Sequence, residues 1–394
     1  MRYSRTTAVF MLALVVFAFG SAINNSIFNN FLVDAFNMSA EQRGGLEIPR
    51  ELPGLLVTLT IGLFFFISEP YLLAISCAVA AFGIFGVGTW SPDLFSLLIW
   101  IFIWSTGIHV QLVLIEKISL ETGIGLGTGS RLGRMNGLRS LGMILGALFV
   151  IVPGKRLELG YRHMFTVAAI AMICAAALYA TLGNGLQARR RRRTPFVFKK
   201  RYMRYYVLAV LFGIRKQIFI TFAPWFLVRI LLFRPENIAR ILLVSASLGI
   251  FIKPLLGRLI DVWGERNVLV MDGMIISVFC LGYVFLPHFF DGLVLDLLIS
   301  LCFILDDLMF TLRTARTTWL AKIAETPEDI TASMSMSVSL DHLLSMTISW
   351  IAGLAWIVLG YESVFLFCGI VAVMMTLVSA GIKTPGDNEL LAAG

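Results

Sequence analysis

Charge is scarce in this sequence. Asp, Glu, Lys and Arg supply 14% of 394 residues, against 58% from hydrophobic types, and a soluble core of this length cannot bury so much apolar surface. A soluble globular protein is thereby excluded. The motifs of several enzyme classes are missing too: there is no GxxxxGK[ST] for ATP, no HExxH and no GxSxG. Gly123 to Gly129 is glycine-rich but follows an apolar run rather than a strand, so it is not a phosphate cradle. The five cysteines, Cys77, Cys174, Cys280, Cys302 and Cys368, fall one per apolar segment without CxxC or Cys/His spacing. Neither a disulfide framework nor a metal site is indicated, and no cofactor is expected.

What the chain has instead is a series of continuous apolar runs about twenty residues long, the length of a membrane-crossing helix; barrel strands would be ~10 residues and alternating. The runs fall at 6–33, 44–67, 71–89, 95–116, 132–153 and 164–186, then at 205–231, 237–258, 268–287, 293–320, 331–358 and 363–383. This predicts an all-α integral membrane protein with twelve transmembrane helices as two six-helix bundles. Residues 1–186 form the first bundle, 187–204 a basic linker, 205–383 the second bundle and 384–394 a tail. Arg2, Arg5 and Gly20-Ser-Ala22 resemble a secretory signal, but helical patterning continues through Asn25, Phe28 and Phe31 and favours a retained first span.

The linker carries Arg189 to Arg193, Lys199, Lys200, Arg201 and Arg204. An even number of spans places it on the same side as both termini, along with Arg2, Arg5, Lys117, Arg131, Arg134, Arg258, Arg266, Lys322 and Lys383. Basic loops face the cytoplasm, so the expected location is the cytoplasmic (inner) membrane with both termini inside. Lys155, Arg156, Arg162 and Arg234 fall on the opposite face. The net charge of +8 is read as orientation. A monomer in the lipid bilayer, with no nucleic acid partner, is expected.

The halves echo one another. Glu116-Lys117-Ile118-Ser-Leu-Glu121-Thr122 ends the fourth span and precedes a helix with Gly137, Gly142 and Gly146; Ala321-Lys322-Ile323-Ala-Glu325-Thr326 ends the tenth and precedes a Ser/Met-rich helix. Matching positions in two six-span halves suit a parallel internal repeat. The glycine set itself is read as close helix packing.

After the eighth span comes Gly257-Arg258-Leu259-Ile260-Asp261-Val262-Trp263-Gly264-Glu265-Arg266. This loop resembles the Gly-x-Leu-x-Asp-x-x-Gly-x-Arg/Lys signature of the major facilitator superfamily in its second-half copy. The first-half counterpart, Phe66-Ile67-Ser68-Glu69-Pro70-Tyr71, lacks the Gly/Asp/Gly pattern. The resemblance implies secondary transport by two bundles rocking around a midplane site. It also implies that Gly257, Asp261, Gly264 and Arg266 form a gating latch, in which glycines permit a tight turn and Asp261 meets helix N-termini or basic side chains.

Ionisable residues inside spans are costly and mark function. Arg215, Lys216 and Gln217 lie about 16 to 20 Å into the seventh span, Asp306 and Asp307 comparably deep in the tenth, and Asp341 and His342 mid-way along the eleventh. Opposite charges from three helices can therefore meet. Asp307, Thr311, Thr314 and Thr318 form a polar stripe at helical spacing. The resemblance puts the first, fourth, seventh and tenth helices around the cavity, adding Asn24, Asn25, Asn29, His109 and Gln111. Near the outer face, Glu47 and Arg50 share a helix side and can form a gate, although snorkelling and solvation of helix-end charges is the favoured reading.

Three readings of the buried charges stay open. Asp306, Asp307, Asp341 and His342 can exchange a coupling proton; Arg215 and Lys216 can bind an anionic solute as paired cationic donors; or Arg215 and an aspartate hold two helices in register. The expected function is secondary active transport of a small polar or anionic solute by alternating access, proton-coupled, and not an enzyme. The alternatives are a receptor or assembly protein on the same scaffold, or a proton-coupled exporter of amphipathic or cationic compounds.

Overall fold

The computed structural model describes residues 5–64, 66–121, 128–183 and 199–382. The linker as far as Phe198, the glycine-rich stretch 122–127 and the chain from Lys383 lie outside the described residues, as do the side chains of Lys117, Arg131 and Arg134.

Within the first half the elements are α1 (Arg5–Phe36), α2 (Ala40–Gly45), α3 (Glu47–Leu55), α4 (Val57–Leu63), α5 (Glu69–Thr89), α6 (Leu94–Glu121), α7 (Thr128–Phe149) and α8 (Tyr161–Ala180). The second half has α9 (Met203–Arg229), α10 (Pro235–Phe289), α11 (Gly292–Met309), α12 (Thr314–Ile323), α13 (Pro327–Leu359) and α14 (Tyr361–Ala380). Among the described residues, nine helices are each long and apolar enough to cross a membrane. The count of twelve follows from three local features. The 55 residues of α10 are two spans, because Gly264 within it is not helical, at φ 76 and ψ 158. The second span is α3 and α4, broken at Leu56 three residues after Pro53, whose ring nitrogen has no hydrogen to give the helix ladder. The tenth is α11 and α12, joined by a 3₁₀ turn at Phe310–Arg313.

Two expectations change here. The stretch from Gly257 to Arg266, read as a loop, is helical on both sides of Gly264, and the helix breaks at that one residue. The stripe of Asp307, Thr311, Thr314 and Thr318 crosses the 3₁₀ turn, where three residues complete a turn, so its members do not keep a single α-helical face.

The chain forms two compact units. One contains the described residues among 1–38, 48–191 and 227–250. In it α1 packs along α7 and α8, and α5 along α6 and α8. The glycines of α7 are why: Gly142 and Gly146 lie against the backbone of α1 at Val15 and Phe19, where a Cβ would overlap it. Asn30 of α1 donates to the Phe233 carbonyl at 2.6 Å, and Arg229 to the Met38 carbonyl at 3.1 Å.

The other unit contains the described residues among 39–47, 192–226 and 251–394. Its core joins Leu211 and Phe212 of α9 to Val371 and Met375 of α14. Tyr283 stacks on Phe365 with ring centroids 4.3 Å apart, and Phe226 meets both edge-on. The short helix α2, opened by a reciprocal Ser39/Gln42 capping box, rests on α13. Gly44 meets the backbone of Ser349 so closely that any side chain would collide with it.

Candidate functional site

The charged residues of the second unit come together in pairs across helices. Arg215 of α9 donates to Asp306 of α11, and Lys216, its chain neighbour, donates to Asp341 of α13. Asp307 takes a third partner, Lys253 of α10, with Nζ to Oδ2 at 3.2 Å. Consecutive side chains on a helix point about 100° apart, which is how one turn of α9 reaches two helices at once. The Arg215 side chain is 0% exposed, while Lys216, Asp341 and Asp306 keep partial access to solvent. The Arg215–Asp306 and Lys216–Asp341 pairs thus combine desolvation with direct contact, the setting in which losing one partner is expensive.

Arg215 sits over the rings of Phe212 and Phe219, 5.4 and 5.7 Å from their centroids. Arg316 of α12 also approaches the Phe212 ring, to 4.2 Å, and its Nη1 donates to the Leu208 carbonyl at 3.2 Å. Asp272, in the ninth span, is fully buried and has Arg215 and Arg316 as its electrostatic neighbours. Sequence reasoning missed Lys253, Asp272 and Arg316. Each lies toward one end of an apolar run, where snorkelling to the interface is the ordinary explanation; the retrievable signal was that Asp272 is followed by Gly273, which brings α14 against the helix at that level.

The remaining expected residues are placed as follows. Gln217 is buried and donates to Thr221 at 3.0 Å on its own helix. Thr311 is half-buried in the 3₁₀ turn, and its carbonyl accepts from Thr314 at 2.9 Å. His342 is half-buried on α13, one residue from Asp341. In the first unit, Asn24 and Asn29 are buried and Asn25 is exposed. His109 Nδ1 lies 2.9 Å from Ser105 Oγ, and Gln111 is buried with its Oε1 unbonded. Arg50 faces the Trp104 ring at 5.8 Å, and its carbonyl accepts from Ser105.

Also in the second unit, Glu47 pairs with Arg43, one helical turn earlier, at 2.7 Å with both side chains buried. In the segment carrying the signature, Asp261 and Arg266 are exposed and Gly257 has open space around it. The buried acid there is Glu265, which Lys322 at the end of α12 contacts at 2.6 Å. The start of α9 is tied down nearby: Lys199 reaches Asp329 at 2.6 Å, Tyr202 donates to the same carboxylate at 2.8 Å, and Arg201 pairs with Glu325. A cavity of about 510 Å³ between α5 and α8, lined by Phe82, Phe85, Trp90 and Ile170 among others, is apolar and lacks the charged groups that would orient a polar solute.

No sequence-family model matches the chain, and no curated protein matches it in sequence. Solved structures do match. The crystal structure of the nucleoside transporter NupG superposes with a TM-score of 0.77 at 13% identity, covering 96% of this chain and 100% of that one. A D-xylose–proton symporter gives 0.69 at 13% identity over 95% and 96% of the two chains. A bacterial homologue of the human lysosomal transporter Spinster gives 0.68 at 12% identity over 95% of each. With its multiple apolar crossings and its all-helical architecture, this chain has the major facilitator fold.

Proposed function

We propose that this protein is a proton-coupled secondary transporter of a small solute carrying an anionic or strongly polar group. The observation that carries the reading is the pairing of Arg215 with Asp306 and of Lys216 with Asp341 inside one membrane-embedded unit. A cation already held by a carboxylate has little to offer an anion. When a proton neutralises Asp341, Lys216 is released to bind the solute's anionic group, and a proton on Asp306 likewise frees Arg215 to change its partner. Proton and solute are then coupled through the same side chain. Nucleoside and sugar–proton transport are functions of the structural neighbours NupG and the D-xylose–proton symporter, and they support a small polar cargo moved by alternating access of the halves 1–186 and 205–383. The basic linker supports both termini in the cytoplasm, in the inner membrane. Asp307 serves as a further proton-exchanging group and Gln217 and Thr311 as polar contacts. The same neighbours argue against an enzyme.

The test is uptake into proteoliposomes under an imposed proton gradient. The panel comprises nucleosides, pentoses, carboxylates, phosphorylated metabolites and organic cations. We expect one polar or anionic class to accumulate, and accumulation to stop in Arg215→Ala and Lys216→Ala. Accumulation indifferent to the gradient would overturn proton coupling, and preference for organic cations would overturn the anion reading.

A further inference from the structure

Two buried groups in the second unit are unmatched in complementary ways. Both carboxylate oxygens of Asp272 are buried without a hydrogen bond, and so are the Nε and Nη1 donors of Arg215. Arg215 spends Nη2 on Asp306. Among the described residues the other cation near Asp272 is Arg316, which gives its Nη1 to a backbone carbonyl and leaves its own Nε buried and unbonded. An ionised carboxylate with no exposure and no donor is among the most expensive states a side chain can adopt. A neutral carboxyl group at the same place is far cheaper. The charged groups facing Asp272 are Arg215 from α9, Asp306 from α11 and Arg316 from α12; α14 meets the helix one residue further on, at Gly273, through Ala372 and Thr376, which carry no formal charge.

We propose that Asp272 is a proton-binding site and the alternative acceptor for Arg215. In the arrangement seen here Arg215 holds ionised Asp306 while Asp272 keeps its proton. When Asp306 takes up a proton its bond to Arg215 weakens, and the free Nε and Nη1 donate to Asp272, whose proton leaves to water. One proton is bound and one released, so the net charge of the cluster is unchanged while the guanidinium changes partner. Arg215 acts as a positioning residue that communicates the state of one carboxylate to the other. As a coupling device the relay rests on the transport reading above; the protonation of Asp272 does not.

The test is infrared spectroscopy of the purified full-length protein in lipid, reading the carboxylic-acid C=O band and its shift in heavy water. The wild type is expected to show a protonated-acid band that is lost in Asp272→Asn. It is also expected to be lost in Asp306→Asn, because that substitution mimics protonated Asp306, frees Arg215 and ionises Asp272. A wild-type band unaltered in Asp272→Asn would overturn the protonation, and a band retained in Asp306→Asn would overturn the exchange of partners. Should Asp272→Asn not fold, Asp272→Glu keeps the acid and must move the same band; a band that stays in place overturns the proposal. Flux measured on the same vesicles separates failure of the relay from failure of the transport reading.

Discussion

Lys216 of α9 donates to Asp341 of α13, one residue along from the Arg215 that reaches Asp306 of α11. A single turn of one helix thereby ties two others to it, and it does so with charged groups rather than with packing alone. Apolar contacts would hold the same helices more cheaply. Their replacement by charge is the physical reason for assigning this level of the bundle a function.

The Lys216–Asp341 pair should show up as a coupling energy. In a double-mutant cycle of Lys216→Ala and Asp341→Ala, read by thermal unfolding in detergent, we expect an interaction of roughly 0.5–3 kcal/mol. Strict additivity would mean that the contact does not tie α9 to α13.

Arg43 and Glu47 give a sharper contrast, since both are buried. Removing one partner of such a pair costs about 3–5 kcal/mol, whereas replacing both with apolar residues of similar size is close to neutral. Arg43→Ala should therefore melt well below the wild type, and Arg43→Met with Glu47→Leu should recover most of the loss. A double variant no more stable than the single one would show that the pair is not the source of the effect.

Gly264 lies at a backbone conformation that L side chains rarely adopt, with φ 76 and ψ 158. Gly264→Ala should destabilise the junction of the eighth and ninth spans by about 1–3 kcal/mol. Nothing lies near the position that a Cβ would occupy, so a loss of that size in the melting temperature would report backbone strain rather than collision.

Asp93 precedes α6 and accepts from the Ser96 backbone N–H at 2.8 Å, which holds its carboxyl below the ordinary carboxylate range. With the folded-state value lowered, its contribution is present above the unfolded value of about 3.9 and is lost as pH falls through the folded one. The melting temperatures of wild type and Asp93→Ala should differ at neutral pH and converge in acid. A gap that widens in acid would reverse the assignment.

Much of the fold is legible in the order of residues, because a membrane span needs only length and low polarity. The runs predicted at 71–89 and 363–383 return as α5 and α14 within a few residues. The break in the tenth span is not legible: Phe310 to Arg313 contains neither Gly nor Pro, and what marks the 3₁₀ turn is a tertiary contact, the Phe310 ring against Phe212 of α9. The candidate site divides similarly. Arg215, Lys216, Asp306 and Asp341 stand out because charge at mid-span is rare. Asp272 does not, since burial near the end of a span depends on which neighbour covers it, here α14 at Gly273. The Ser39-x-x-Gln42 box that opens α2 was readable as a helix start, but nothing local says that the helix it opens will rest on α13.

That placement of α2 matters for anyone attaching a reporter to this protein. By chain order residues 39–47 connect the first and second spans, and a fluorophore or spin label there would ordinarily be taken to follow the first half. They belong instead to the compact unit of α13, with Gly44 seated on the Ser349 backbone. A label at Glu41 would therefore report on the surroundings of the eleventh span in this arrangement, not on the first span alone.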